Sequence, residues 1–148
     1  MTQTTMYLID TNIVSELRKQ SRANFGVQKF FQGAIEQDIR LYISVITIGE
    51  LHRGVELIRY RGDQPQADLL EAWLQNILDD YADHIIDFTI TEAQVWGRLR
   101  VPHPHNALDK QLAIALTCGL TLVTRNISDF AGTGVPLLNP FEDVDGEN

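Results

Sequence analysis

Hydrophobic and polar positions follow two rhythms along the chain. Short, mostly apolar runs stand at 6–9 ("MYLI"), 41–46 ("LYISVI"), 84–88 ("HIIDF") and 120–124 ("LTLVT"). Runs of this length and composition predict buried strands. "VPLLNP" at 135–140 is a weaker fifth. Between them, apolar residues recur every three or four positions, the period of a helix with one face in a core. The pattern predicts helices over 11–19, with Thr11 or Asn12 as N-cap, and over 26–37. A third, over 47–61, carries Ile48, Leu51, Val55 and Ile58 on one face. A fourth, over 67–81, carries Leu69, Leu70, Trp73, Ile77 and Leu78. Two more follow, over 91–100 and 106–118, the latter with a stripe of Leu108, Leu112, Ala115, Leu116 and Gly119. "RVPHPHN" at 100–106 reads as a loop, because Pro102 and Pro104 push the residues before them out of helical geometry. Strands alternating with amphipathic helices predict an α/β fold, a three-layer α/β/α sandwich around a mainly parallel sheet.

Length and composition bound this picture. A chain of 148 residues fits one domain, here read as 1–148 with an acidic tail over 142–148. The single cysteine, Cys118, excludes an internal disulfide framework and a four-thiolate zinc site, and it reads as a small packing residue. No apolar run approaches the roughly 20 residues that span a bilayer. Residues 1–15 carry Asp10 and no basic leader, so no secretory signal and no membrane partner are expected, and the expected location is cytoplasmic.

The net charge of −8 at first argues against a nucleic-acid partner. Its distribution changes that. Residues 1–61 hold 8 basic and 6 acidic side chains, and 98–141 hold 4 basic and 2 acidic ones. Residues 62–97 hold 8 acids and no Lys or Arg, and the tail holds 4 acids. The acidity belongs to one middle segment and the tail.

In open α/β sheets, ligands bind beyond the carboxyl ends of the strands. Asp10 follows the first strand, Glu50 sits a helical turn after the second, and Asp109 lies in the first turn of the helix before the fourth. Asn126 and Asp129 follow that strand in "TRNISDF". Carboxylates gathered in one place repel, and a hard divalent cation with oxygen ligands removes the penalty. Such a cation on phosphate is the chemistry of phosphodiester hydrolysis. Each acid also has a purely structural reading. Asp10 and Asp109 suit helix starts. Thr47-x-x-Glu50 fits a capping box, as does Thr89-x-x-Glu92.

Four stretches, "LIDTNIVSEL", "SVITIGELHRGVE", "NALDKQLAIA" and "LTLVTRNISDFAGTGVPLLNPF", resemble in order the motifs of PIN-domain ribonucleases. The branch they resemble is the VapC toxins and the FitB-like plasmid-stability proteins. The resemblance implies an Mg²⁺-dependent endoribonuclease, with Mn²⁺ able to substitute, that hydrolyses RNA with a metal-activated water. It implies the toxin of a type II toxin–antitoxin pair. Catalytic acids would be Asp10, Glu50, Asp109 and Asp129, with Asp10, Asp109 and Glu50 on the metal. Thr11, Asn12, Thr124 and Asn126 would support them, and either Asn126 or Asp129 would fill the fourth acid position. One spacing departs from the pattern: Asp109 to Gly119 is ten residues where eleven are expected. Implied partners are RNA, a small antitoxin with a basic segment, a second copy of the chain in a homodimer, and promoter DNA only through the antitoxin complex.

Basic residues near these motifs, Arg53, Lys110 and Arg125, with Arg18, Lys19 and Arg22 after the first, could hold RNA backbone. His103 and His105 belong to the Pro-bounded loop, and Trp73 and Trp96 to helix faces. Two other readings compete. One is a catalytically weak module that binds RNA or an antitoxin-like partner in a DNA-bound regulatory complex. The other is a small phosphatase, which wants Asp-x-Asp where this chain has Asp10-Thr11-Asn12.

Overall fold

The structure, a computed structural model, describes residues 5–99, 101, 110–130 (without the side chain of Asp129) and 132–142. Asp109, His103 and His105 lie outside the described residues, as does the tail from 143 on. The order is β1 (Tyr7–Ile9), α1 (Thr11–Leu17), α2 (Phe25–Glu36), β2 (Leu41–Ser44), α3 (Val45–Tyr60), α4 (Gln64–Asp80) and β3 (Ile85–Ile86). Then come α5 (Ile90–Leu99), α6 (Lys110–Cys118), β4 (Thr121–Val123), α7 (Ile127–Phe130) and β5 (Leu137–Leu138).

The strands form one parallel sheet in the order β3-β2-β1-β4-β5. Tyr7 pairs with Leu41 on one side and with Thr121 on the other, so β1, β2 and β4 end nearly level. Alternate side chains leave opposite faces, as the pleat requires. Ile9, Ile43 and Val123 pack with Ile13, Val27, Val55 and Leu74, from α1 to α4. Leu8 and Leu122 pack with Leu112, Ile114 and Ala115 of α6 and with Phe130. Helices therefore cover both faces, and the architecture is the α/β/α sandwich expected.

Local chemistry sets the helix ends. Asn24 caps α2 by accepting the Val27 N–H at 3.2 Å, and Asp63 caps α4 by accepting that of Gln66 at 3.2 Å. Glu92 accepts the Thr89 N–H at 2.8 Å and also the Thr89 hydroxyl, which is the Glu half of the expected Thr89–Glu92 capping box. At the end of α6, Gly119 has φ +69°, and the Leu120 N–H returns to the Ala115 carbonyl at 2.9 Å. That left-handed turn suits glycine and feeds Leu120 into the core.

Several boundaries differ from the expected ones. The cap of α1 is Asp10, not Thr11 or Asn12. The second strand stops at Ser44, whose hydroxyl accepts the Thr47 N–H at 3.3 Å, so α3 starts at Val45 and Thr47 is already inside it. Thr47–Glu50 is therefore no capping box. In α4 the buried stripe is Ala67, Leu70, Leu74 and Ile77, while Leu69 is 68% exposed. In α6, Gln111 to Ala115 are all buried, whereas Leu116 and Cys118 are exposed, so Leu116 departs from the expected stripe and Cys118 is not the packing residue expected. Partial burial and the charge of Glu92 push the Cys118 thiol above its ordinary value. The short α7 was not anticipated; it places Asp129 on a helix.

Candidate active site

The strand order turns at the β1–β4 junction: β2 and β3 lie to one side of it, β5 to the other. Such a switch point leaves a crevice where loops diverge. Asp10 stands at its lip. Its N–H donates to the Val123 carbonyl at 2.9 Å, while its own carbonyl accepts the N–H groups of Ile13 at 3.0 Å and Val14 at 3.2 Å. One residue thus closes β1 and opens α1, which fixes its side chain.

The Asp10 carboxylate is 3% exposed and is surrounded by neutral donors. Oδ1 accepts the Thr11 N–H at 2.8 Å and Gln111 Nε2 at 3.3 Å. Oδ2 accepts Thr124 Oγ1 at 2.7 Å and Asn12 Nδ2 at 3.5 Å. Among the described residues no Lys or Arg forms an ion pair with it.

The network extends in two directions. Toward β4, the Thr124 hydroxyl accepts the Asn126 N–H at 3.1 Å, and Asn12 Oδ1 accepts the Arg125 N–H at 3.2 Å. Toward α3, Gln111 bonds Ser44 and Thr47, each 0% exposed. Thr47 Oγ1 lies 3.0 Å from Thr11 Oγ1, which donates to Glu50 Oε1. Asp10, Thr11, Asn12, Glu50 and Thr124 are therefore joined by one set of hydrogen bonds. Gln111, Ser44 and Thr47 complete it, and none of those three was anticipated as a site residue. The available signal was Gln111 itself, a polar residue heading the apolar stretch "LAIAL" of α6.

The other anticipated residues sit as follows. Asn126 contributes its backbone N–H, and its side chain is exposed. Arg53 is exposed on α3. The Lys110 ammonium lies 5.1 Å from the centroid of the half-buried Trp96 ring, and the Arg125 guanidinium lies 4.4 Å from that of Phe141. Asp109 lies outside the described residues, as does the Asp129 side chain.

Glu16, a buried acid on α1, belongs to the frame rather than the crevice. It accepts the Asn24 N–H at 2.8 Å and pairs with Lys19 at 3.0 Å. Burial pushes its carboxyl up, but Asn24, Lys19 and Arg125 together outweigh burial and hold it below the usual glutamate range.

A cleft of about 150 Å³ adjoins Thr11 and Glu50. It shares Arg18, Leu70 and Trp73 with a hollow of about 540 Å³ that Lys19 and Arg22 also line. The larger groove, about 670 Å³, runs between α2 and the residues after β5, and it includes none of the networked side chains.

The donor chemistry suits a hard divalent cation. The crevice offers carboxylate, amide and hydroxyl oxygens, the ligand type Mg²⁺ prefers. A buried carboxylate without a cationic side chain beside it is otherwise costly. Among the described residues no three His, Cys, Asp or Glu side chains gather into a metal-holding group; Asp10 and Glu50 are the two acids of the network.

The sequence model of the PIN domain matches residues 7–134. Toxin FitB of Neisseria gonorrhoeae is 32% identical, over 93% of this chain and 100% of FitB. Plasmid stability protein StbB of Pseudomonas syringae pv. tomato is 28% identical, over 93% of this chain and 99% of StbB. The crystal structure of FitAcB from Neisseria gonorrhoeae superimposes with a TM-score of 0.76 at 28% identity, covering 93% of this chain and 99% of that one. Other structures of this fold include toxin–antitoxin complexes, some bound to DNA.

Proposed function

The chain belongs to the PIN domain family, and on that premise we propose that it is a divalent-metal-dependent endoribonuclease, the toxin of a toxin–antitoxin pair. The observation that carries the proposal is the buried Asp10 carboxylate at the sheet's switch point, held by neutral donors and in no ion pair with a Lys or Arg among the described residues.

Asp10, Glu50 and Asp109 would hold Mg²⁺, with Asn126 or Asp129 in the fourth position. When bound, the cation supplies Lewis acidity and neutralises charge on the phosphoryl group. The remaining work is the chain's own. Thr11, Asn12 and Thr124 fix the Asp10 carboxylate, and ligands so oriented present their lone pairs without reorganisation. Arg18, Lys19 and Arg22 along the hollow, with Arg53, Lys110 and Arg125, hold the RNA backbone by phosphate contacts that carry no sequence information. The acidic α4 and tail keep RNA away from the remaining surface.

A small antitoxin with a basic segment complements the acids of the crevice. The chain pairs as a homodimer and reaches promoter DNA only through that complex, in the cytoplasm. Expression without an antitoxin should arrest growth, and the purified protein should cut RNA only with Mg²⁺ or Mn²⁺. Asp10→Asn, nearly isosteric, should abolish both effects and leave the circular dichroism unchanged. Cleavage retained by a clean Asp10→Asn preparation overturns the reading. RNA or antitoxin binding by a wild-type protein that never cuts would favour a catalytically weak binding module.

A further inference from the structure

We infer that Gln111 is the positioning residue that sets Asp10 and Glu50 together for the cation. The inference rests on the nuclease reading above and concerns the chain's own atoms. Gln111 is fully buried on α6, and its amide has an oxygen that only accepts and an NH2 with two protons to donate. The Ser44 hydroxyl donates to Oε1, while Ser44 Oγ also accepts the Thr47 N–H. The Asp10 carboxylate, which can only accept, fixes the amide's orientation. Nε2 then faces Asp10 Oδ1 at 3.3 Å and Thr47 Oγ1 on the other side.

Proton counting sets the direction of the rest. Nε2 can only donate, so Thr47 Oγ1 accepts from it and keeps its own proton free to give. Thr11 Oγ1 has two oxygen neighbours, Thr47 and Glu50. An ionised carboxylate can only accept. Thr11 therefore donates to Glu50, and Thr47 donates to Thr11 across 3.0 Å. Donors run outward from Gln111 in both directions, and each direction ends on a carboxylate. A flipped amide would set Oε1 against Asp10, acceptor on acceptor. Gln111, Ser44 and Thr47 are all 0% exposed, so bulk water does not reach the links among those three.

The test is Mn²⁺ binding to the full chain, read from the electron paramagnetic resonance of the free ion. Circular dichroism and RNA cleavage are measured on the same samples. Gln111→Met, of similar volume, should raise the Mn²⁺ dissociation constant by about 10–100-fold, the usual cost of losing a partner of a metal ligand. It should lower kcat and leave KM for RNA unchanged. Two substitutions at Thr47 separate positioning from packing. Thr47→Val keeps the shape and loses the hydroxyl, and it should bind Mn²⁺ weakly. Thr47→Ser loses the methyl and keeps the hydroxyl, and it should bind as wild type does. If Gln111→Met does not fold, the Thr47 pair decides. Wild-type affinity in Gln111→Met, or equal affinity in the two Thr47 variants, overturns the inference alone. A wild-type chain that binds no Mn²⁺ overturns the nuclease reading and the inference with it.

Discussion

Thr124 Oγ1 lies 2.7 Å from Asp10 Oδ2, joining the ends of two neighbouring parallel strands through side chains 114 residues apart. Thr124 is 0% exposed and its N–H is spent on the Leu138 carbonyl. Its hydroxyl is thus held by the sheet itself. It is the shorter of the two donors on Oδ2; Asn12 stands at 3.5 Å.

Thr124→Val keeps the volume and removes that hydroxyl. A buried hydrogen bond to a charged group is worth about 1.5–3 kcal/mol, and that loss should appear as a lower urea midpoint with an unchanged slope. Under the nuclease reading, RNA cleavage should fall by about tenfold or more, since the metal-holding acid loses its orienting partner. Thr124→Ser should recover most of both. Equal stability and cleavage in the two variants would show that the hydroxyl has no role.

The sheet was legible because its strands are short apolar runs that no helical period explains. Asp10 was legible because it directly follows a strand and opens a helix. Helix starts were harder, since one pattern served two purposes. Thr89-x-x-Glu92 and Thr47-x-x-Glu50 read alike, yet only the first caps a helix. At the second, Ser44 already caps α3, and Thr11 of another helix takes the Glu50 carboxylate. Gln111 was hard to see as a site residue for a different reason: its one local signal is a polar side chain heading an apolar stretch. Its partners Thr47, Ser44 and Asp10 are 64, 67 and 101 residues away, and no local spacing reports them.

The stripe of α4 supplies a direct comparison. Leu74 is 1% exposed in the core below the sheet, while Leu69 is 68% exposed, although both are leucines of one helix. Leu74→Ala should cost about 2–5 kcal/mol, the range for emptying a packed leucine site. Leu69→Ala should change stability by no more than about 0.5 kcal/mol. Thermal or urea unfolding of the two variants checks the register of this helix. A comparable loss for both would mean that α4 is rotated.

Arg59 ties α3 to α4 at the surface. Its guanidinium meets Glu56 at 2.7 Å on its own helix, and Asp68 at 3.1 Å and Glu71 at 2.7 Å on the next. Exposed ion pairs contribute little singly, but one cation shared by three acids relieves their repulsion as well. Arg59→Gln should lower Tm at low salt. The difference from wild type should shrink in about 1 M salt, where the Debye length falls to about 3 Å. A difference that ignores salt would assign the effect to packing of the side-chain stem.

Glu92 gives the acid limb of stability a specific source. The Thr89 hydroxyl and then the Thr89 N–H lower its pKa below the ordinary 4.5, against the opposing push of burial. A carboxyl whose folded pKa is depressed binds its proton more readily in the unfolded chain. Its stabilisation is complete above the unfolded value and is lost as pH falls through the folded one. Glu92→Gln should therefore be less stable than wild type at neutral pH. The gap should close as pH drops below 4.5 toward the lowered value. Glu16, held low by Asn24, Lys19 and Arg125 against burial, titrates in the same sense and remains in both proteins. Wild type should consequently lose stability more steeply on acidification than Glu92→Gln, while both still decline. Urea midpoints from neutral pH to about pH 3 read this directly. A gap that stays constant or widens toward low pH contradicts the assignment to the charged form of Glu92, and leaves the capping bonds acting through the neutral carboxyl instead.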